Sequence, residues 1–239
     1  MKKYGISALI LSAVLCAGCF GGCGKSKDSS SPPEKEKTSG SEEITQPEKE
    51  EAVGNGELIT PDEDSEEYDL GSYRISENGI KLYYEDSEYP AELAATLEKY
   101  FKSFETGDFE SYKECIFPSY IETMEKFLQE NYQYGLDKSF QTQCDNLNLN
   151  MGGSFEITRI KIEKPLEIES EETGAEEFLD NLDESFGMAY KESVKKDSDD
   201  LRYMTFSIMA KDADGNESLL VSSFYILFAE KDGKYYTFG

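Results

Sequence analysis

The sequence predicts an α+β fold, with amphipathic helices early in a domain packed on an antiparallel sheet built mainly from its later part. Three observations carry this. Between residues 90 and 134 apolar side chains recur every three or four positions, the spacing of one helix face. From Phe155 the spacing falls to two and β-branched residues accumulate, as in a half-buried strand. Turn sequences at Asp212-Ala213-Asp214-Gly215-Asn216 and at Asp232-Gly233 then separate long apolar runs, which is hairpin chemistry. An antiparallel sheet with one apolar face needs a cover, and the helices of residues 90–134 supply it.

The domain is expected to open with residues 73–75 and 80–84 flanking Glu77-Asn78-Gly79. Asn-Gly tolerates positive φ, so this reads as a short hairpin or an edge strand. Pro90 suits the first turn of a helix, and Leu93, Leu97, Phe101 and Phe104 fall on one face of it. Gly107 ends that helix as a left-handed cap. Asp108 caps the next, short one, whose inner stripe is Phe109, Tyr112, Cys115 and Ile116. Pro118 opens a third helix with Ile121, Met124 and Leu128 inward, closed by Gly135, and residues 136–147 form a further helix. Residues 155–162 make the first long strand, and Pro165 marks a bulge or an edge. Residues 175–195 return to helix, with Phe178, Leu182 and Phe186 four apart. Strands at 202–211, 219–231 and 234–238 complete the sheet.

Ahead of this domain the composition changes twice. Lys2 and Lys3 precede an apolar run from Ile6 to Phe20. That run is shorter than the roughly 20 residues a spanning helix needs, so it reads as the core of an export signal. Small residues precede two cysteines, Ala17-Gly18 before Cys19 and Gly21-Gly22 before Cys23. This resembles a lipobox, whose cysteine is diacylated and becomes the first residue after cleavage. The hydrophilic Lys25-Ser26-Lys27-Asp28 that follows favours Cys23 over Cys19. Two acyl chains hold a protein on a membrane, where one binds only marginally. The expectation is a palmitate-type lipid anchor and an extracellular position on the cell membrane.

Residues 24–70 contain 15 acids, 5 lysines and few apolar side chains. Burial there cannot offset a backbone ordering cost of about 1–2 kcal/mol per residue. They read as a disordered, self-repelling tether. The organisation expected is therefore a signal peptide with lipobox at 1–23, an acidic tether at 24–70, and one folded domain at 71–239. That domain keeps a net charge of −18 of the chain's −26. Such a surface repels phosphate backbones, which argues against nucleic acid as a partner.

The order of elements and two stretches of residues resemble the NTF2-like (cystatin-like) superfamily. The first stretch is Leu97-Glu98-Lys99-Tyr100-Phe101-Lys102-Ser103-Phe104-Glu105-Thr106-Gly107-Asp108-Phe109-Glu110, an aromatic helix ending in Gly-Asp-Phe. The second is Asp232-Gly233-Lys234-Tyr235-Tyr236, a final hairpin. The resemblance implies a curved sheet wrapped on helices as a cone with a pocket inside, and a likeness to secreted lipoproteins of unknown function in Gram-positive bacteria. Enzymes of that superfamily place an Asp with a His or a Tyr in the pocket. The chain departs from the pattern by a long helical segment between its first and second main strands.

The chain has no histidine, which removes Asp–His acid–base chemistry, His-ligated metals and His-based nucleophilic triads. Asp212–Glu217 partly resembles a calcium loop, but position six is Glu217 instead of glycine and position twelve is Ser223. It reads as a hairpin turn, and neither a metal nor a cofactor is expected. Acid pairs at Glu171-Glu172, Glu176-Glu177 and Asp199-Asp200 read as solvated faces. Cys115 and Cys144 are compatible with a disulfide and with two buried thiols. Tyr100, Phe104, Tyr112, Phe117, Tyr120, Phe206 and Tyr225 are candidates to line a pocket, although aromatics at such spacings first of all fill a core. No catalytic residue is assigned. The function expected is a non-catalytic domain binding a small molecule or an envelope protein. The alternatives are a small isomerase or dehydratase using Asp and Tyr, and a structural spacer in envelope assembly.

Overall fold

The computed structural model describes residues 56–65, 67–164 and 170–239. The export signal, both lipobox cysteines, residues 24–55 and Pro165 lie outside the described residues.

The fold is α+β, and the described residues form six strands in one sheet and six α-helices. The strands follow each other in chain order: β1 (Arg74–Ile75), β2 (Lys81–Tyr83), β3 (Glu156–Glu163), β4 (Asp200–Lys211), β5 (Glu217–Lys231) and β6 (Lys234–Thr237). The sheet is mixed, which corrects the antiparallel sheet expected. β2 and β3 run parallel, with Lys81 beside Arg159 and Tyr83 beside Lys161. The other neighbouring pairs are antiparallel. Four helices lie between β2 and β3: α1 (Ala91–Thr106), α2 (Phe109–Glu114), α3 (Pro118–Tyr132) and α4 (Leu136–Asn150). A crossover of that kind is what a parallel pair requires.

Bulges curl the sheet into a half-barrel. Thr158 is the extra residue between the pairs Ile157–Ala210 and Arg159–Met209. Ser222 and Ser223 together face Ser207 between the pairs Ile208–Val221 and Phe206–Phe224, and Ser223 has φ of 46°. An extra residue on one strand bends it and raises the local twist.

The helices end where small conflicts decide. Gly107 takes the left-handed conformation (φ 69°) after α1, as the sequence predicted. α3 ends two residues earlier than expected, with Gln133 in the left-handed position (φ 64°). Gly135 instead precedes α4, because the Glu125 carboxylate lies 2.8 Å from where a Cβ would stand and accepts the Leu136 N–H at 2.6 Å. The helix expected over 175–195 is two helices, α5 (Glu171–Phe186) and α6 (Tyr190–Asp197). Gly187 (φ 65°) breaks them apart, and Asp183 Oδ1 accepts the Lys191 N–H at 2.6 Å.

The core lies between α1 and the sheet. Leu93, Leu97, Phe101 and Phe104 are all buried, and the Phe101 ring stands 5.0 Å from Phe206 of β4. Tyr203, three residues before Phe206 and so on the other side of the strand, meets α5 instead. Its ring lies 2.0 Å from where a Cβ on Gly174 would be, so only glycine lets the helix approach there.

Residues 56–70, which composition assigned to the tether, make specific contacts with the domain. Ile59 and Tyr73 exchange two backbone hydrogen bonds of 2.7 and 2.9 Å. Arg74 Nη1 donates to Gly56 O at 2.8 Å, Lys81 pairs with Glu67, and residues Tyr68–Leu70 form a 3-10 turn. The ordered unit thus extends N-terminal to Gly71.

Candidate functional site

The interior of the half-barrel collects aromatic side chains because α1 and β4 both present them inward. Four of the seven residues singled out in the sequence, Tyr100, Phe104, Phe206 and Tyr225, line one cavity together with Phe101, Phe178, Phe224 and Phe238. The other three are packed elsewhere. Tyr112 lies against Phe140 (4.8 Å between ring centroids) and Phe104, Phe117 against Phe238 (5.4 Å), and Tyr120 against Phe186 and Phe238. The expected single pocket is therefore one cavity wall and two adjoining pieces of core.

The cavity measures about 30 Å³. That is room for one or two waters, against the several hundred Å³ of an ordinary ligand pocket. Its occupants are its own side chains: Tyr100 meets Phe101 and Phe104 edge-on at 5.0 Å each, a favoured aromatic geometry. Burial pushes the hydroxyls of Tyr100, Tyr112 and Tyr120 well above the usual phenol range, so they stay neutral.

Cys115 and Cys144 are free, buried thiols, and no disulfide joins them. Cys115 Sγ donates to Ser111 O at 3.4 Å. Burial pushes Cys115 up to about 12 and Cys144 up to about 11. Both are then thiols and poor nucleophiles at neutral pH.

Two features went unassigned in the sequence. The first is Glu98, a carboxylate only 4 % exposed on α1. Its Oε1 accepts from Ser76 Oγ at 2.8 Å and from Asn78 Nδ2 at 2.7 Å, and Ser76 Oγ in turn accepts from Ile80 N at 3.2 Å. It thus ties the β1–β2 turn to α1. Spacing holds the clue, since Glu98 stands four after Ala94 and three before Phe101, inside the apolar stripe.

The second is an open polar groove of about 480 Å³ between α5, the end of α6 and the start of β4. Glu171, Glu172, Glu176, Asp199 and Asp200 line it with Lys195 and Arg202. These belong to the acid pairs that read as separate solvated faces. Several are already engaged: Glu176 with Lys191 at 2.5 Å and with Lys195, Asp200 with Arg202 at 2.7 Å, and Asp199 Oδ2 with the Asp232 N–H at 3.0 Å. The two lysines hold the Glu176 carboxyl below its usual range. Among the described residues no group of acid and thiol side chains is placed to hold a metal ion.

Asp108 caps α2. Its Oδ1 accepts from the N–H groups of Glu110 and Ser111 at 3.1 Å each, and its Oδ2 from Ser111 Oγ at 2.8 Å. Those hydrogen bonds, Ser111 first, lower its pKa. The lowered value makes the cap a contribution that is complete at neutral pH and fades as pH falls through the folded-state pKa. Asp108→Ala should lower the melting temperature by a few degrees, with the loss disappearing in acid. A fully stable variant would show that the carboxylate is not a cap. Asp212 plays a similar part at the β4–β5 turn, where its Oδ1 accepts from Asp214 N and Asn216 N at 2.9 Å each.

Comparison with family models, with curated proteins and with solved structures gave no match.

Proposed function

We propose that this chain is a lipoprotein of the outer membrane face whose domain is a non-catalytic module, binding another macromolecule through its outer surface. The filled interior carries this reading. A cone whose cavity is about 30 Å³ holds no room for a small-molecule ligand, whereas the surface offers a groove of about 480 Å³ rimmed with charge. The buried carboxylate Glu98 is consumed by two neutral donors, which leaves it a structural role. We also group the domain with the NTF2-like cones. The aromatic α1, its left-handed Gly107 and the Asp108-capped α2 support that grouping, and the final Asp232-Gly233 hairpin agrees with it.

The lipid anchor rests on Lys2-Lys3, the short apolar run and the Gly-Cys junctions. Cell fractionation tests it. The unaltered chain should partition with membranes, and Cys23→Ala should release it while Cys19→Ala does not. Retention of both variants, or release of the unaltered chain, removes the proposal. The binding half is tested by titrating envelope extracts and a small-molecule library against the purified chain. A small molecule whose binding is abolished by Phe104→Leu without loss of stability would place the site inside the cone and overturn the surface reading.

A further inference from the structure

The segment that precedes β1 is held very differently from the rest of the domain. Residues 56–70 carry seven acids and no base, and none of those described is buried. Among the described residues their hold includes the Ile59–Tyr73 backbone pair, the Arg74 guanidinium on Gly56 O, the Thr60–Ser72 hydroxyl contact of 3.1 Å and the Lys81–Glu67 ion pair. Exposed ion pairs contribute little, and segments with few buried apolar contacts open at low cost while a core stays closed.

The segment lies beside one edge of the sheet. β1 is the last strand at its end of the sheet, and Ile59 pairs with Tyr73 just before it. Beside it Tyr83 is 1 % exposed, with Tyr73 at 5.1 Å and its hydroxyl buried without a partner. The register sets Lys81 next to Arg159, and Arg159 is half-buried and belongs to no ion pair among the described residues. In a chain of net charge −26, the side-by-side cations Lys81 and Arg159 stand where a stretch of seven acids and no base lies down, and Arg74 beside them is already paired with Asp86.

We propose that residues 56–70 are a detachable strap occupying a strand-docking edge, and that an extended acidic segment of a partner protein pairs with that edge when the strap lifts. A sheet edge offers backbone hydrogen bonds for affinity, and the side chains beside it select the sequence. Here Lys81 and Arg159 select acid and the Tyr73–Tyr83 pair offers an aromatic contact. The inference goes beyond the proposed function and needs neither the lipid anchor nor the groove.

Hydrogen exchange on the full chain tests the first half. The amides of Ile59 and Tyr73 should exchange at least about tenfold faster than those of Phe206 and Ile208, and faster still as salt screens the Lys81–Glu67 pair. Equal protection at both places overturns the strap. The second half uses a synthetic peptide of residues 56–70 as probe on the full-length Ile59→Pro chain, whose strap has lost its donor to Tyr73 O. The peptide should shift the Tyr73 and Ile75 amide resonances. It should do so far less when Lys81→Glu is added. If Ile59→Pro disturbs β4 protection, Glu67→Gln takes its place with the same probe. No shift on a chain whose β4 stays protected overturns the docking edge. A shift that survives Lys81→Glu overturns its preference for acid.

Discussion

Replacing Phe101 by alanine should lower the unfolding free energy by about 3–5 kcal/mol, the usual cost of removing a buried aromatic ring. Phe101 is 4 % exposed and bridges the two halves of the fold, with its ring 5.0 Å from Tyr100 on α1 and 5.0 Å from Phe206 on β4. Removing it also joins its volume to the small cavity that it already lines. The size of the loss depends on how far the walls relax. A helix packed on α2, α4 and the strands β3 and β6 has little freedom to do so. Urea melts read the outcome. A loss below about 1.5 kcal/mol, typical of well-tolerated hydrophobic swaps, would mean that the interior is soft enough to open, and the small-molecule reading would then regain ground.

The second large effect is expected at Glu98. Glu98→Ala leaves the buried Ser76 hydroxyl without its acceptor, while the exposed Asn78 amide can turn to water, and a buried unpaired donor costs about 1–3 kcal/mol. A loss of about 1–3 kcal/mol is expected, again from denaturant midpoints. Glu98→Gln keeps an oxygen in place and should recover most of the loss. If glutamine were as damaging as alanine while the fold persisted, the charge itself would matter, and Glu98 would need a role beyond holding the turn.

The parts of the fold legible in the sequence are those set by neighbours in the chain. Leu93, Leu97, Phe101 and Phe104 announce α1 by spacing, Gly107 and Asp108 mark its end and the next start, and the two Asp-containing turns mark the hairpins of β4, β5 and β6. The parallel pairing of β2 with β3 is invisible there, because it depends on where four intervening helices return the chain. The spacing of Phe178, Leu182 and Phe186 runs straight up to Gly187. Periodicity alone therefore did not reveal that the helix breaks, and a left-handed glycine decided it. The strap was missed for a different reason. Its composition is that of a disordered segment, yet the Ile59–Tyr73 backbone hydrogen bonds and side-chain contacts from Arg74, Lys81 and Ser72 are enough to give it a place. The aromatic candidates were recognised as inward-facing, but sequence could not tell wall from filling. That depends on which rings meet across elements, as Tyr112 does with Phe140 of α4.

The parallel β2–β3 pair also bears on the order in which the molecule can assemble. β3 to β6 are antiparallel neighbours in sequence order, with α5 and α6 standing between β3 and β4, so most of their pairings are local and quick to form. β2 must wait for a partner that lies beyond α4, and closing so long a loop is entropically costly before any contact rewards it. A chain made from its N-terminus displays the β1–β2 hairpin early, with Leu82 and Tyr83 uncovered, and can bury them only after β3 has appeared. Refolding should therefore show β4–β5 amides protected before those of β2. The acidic stretch beside the hairpin, whose charges repel other copies of the same stretch, is well placed to keep the waiting strands from pairing between molecules.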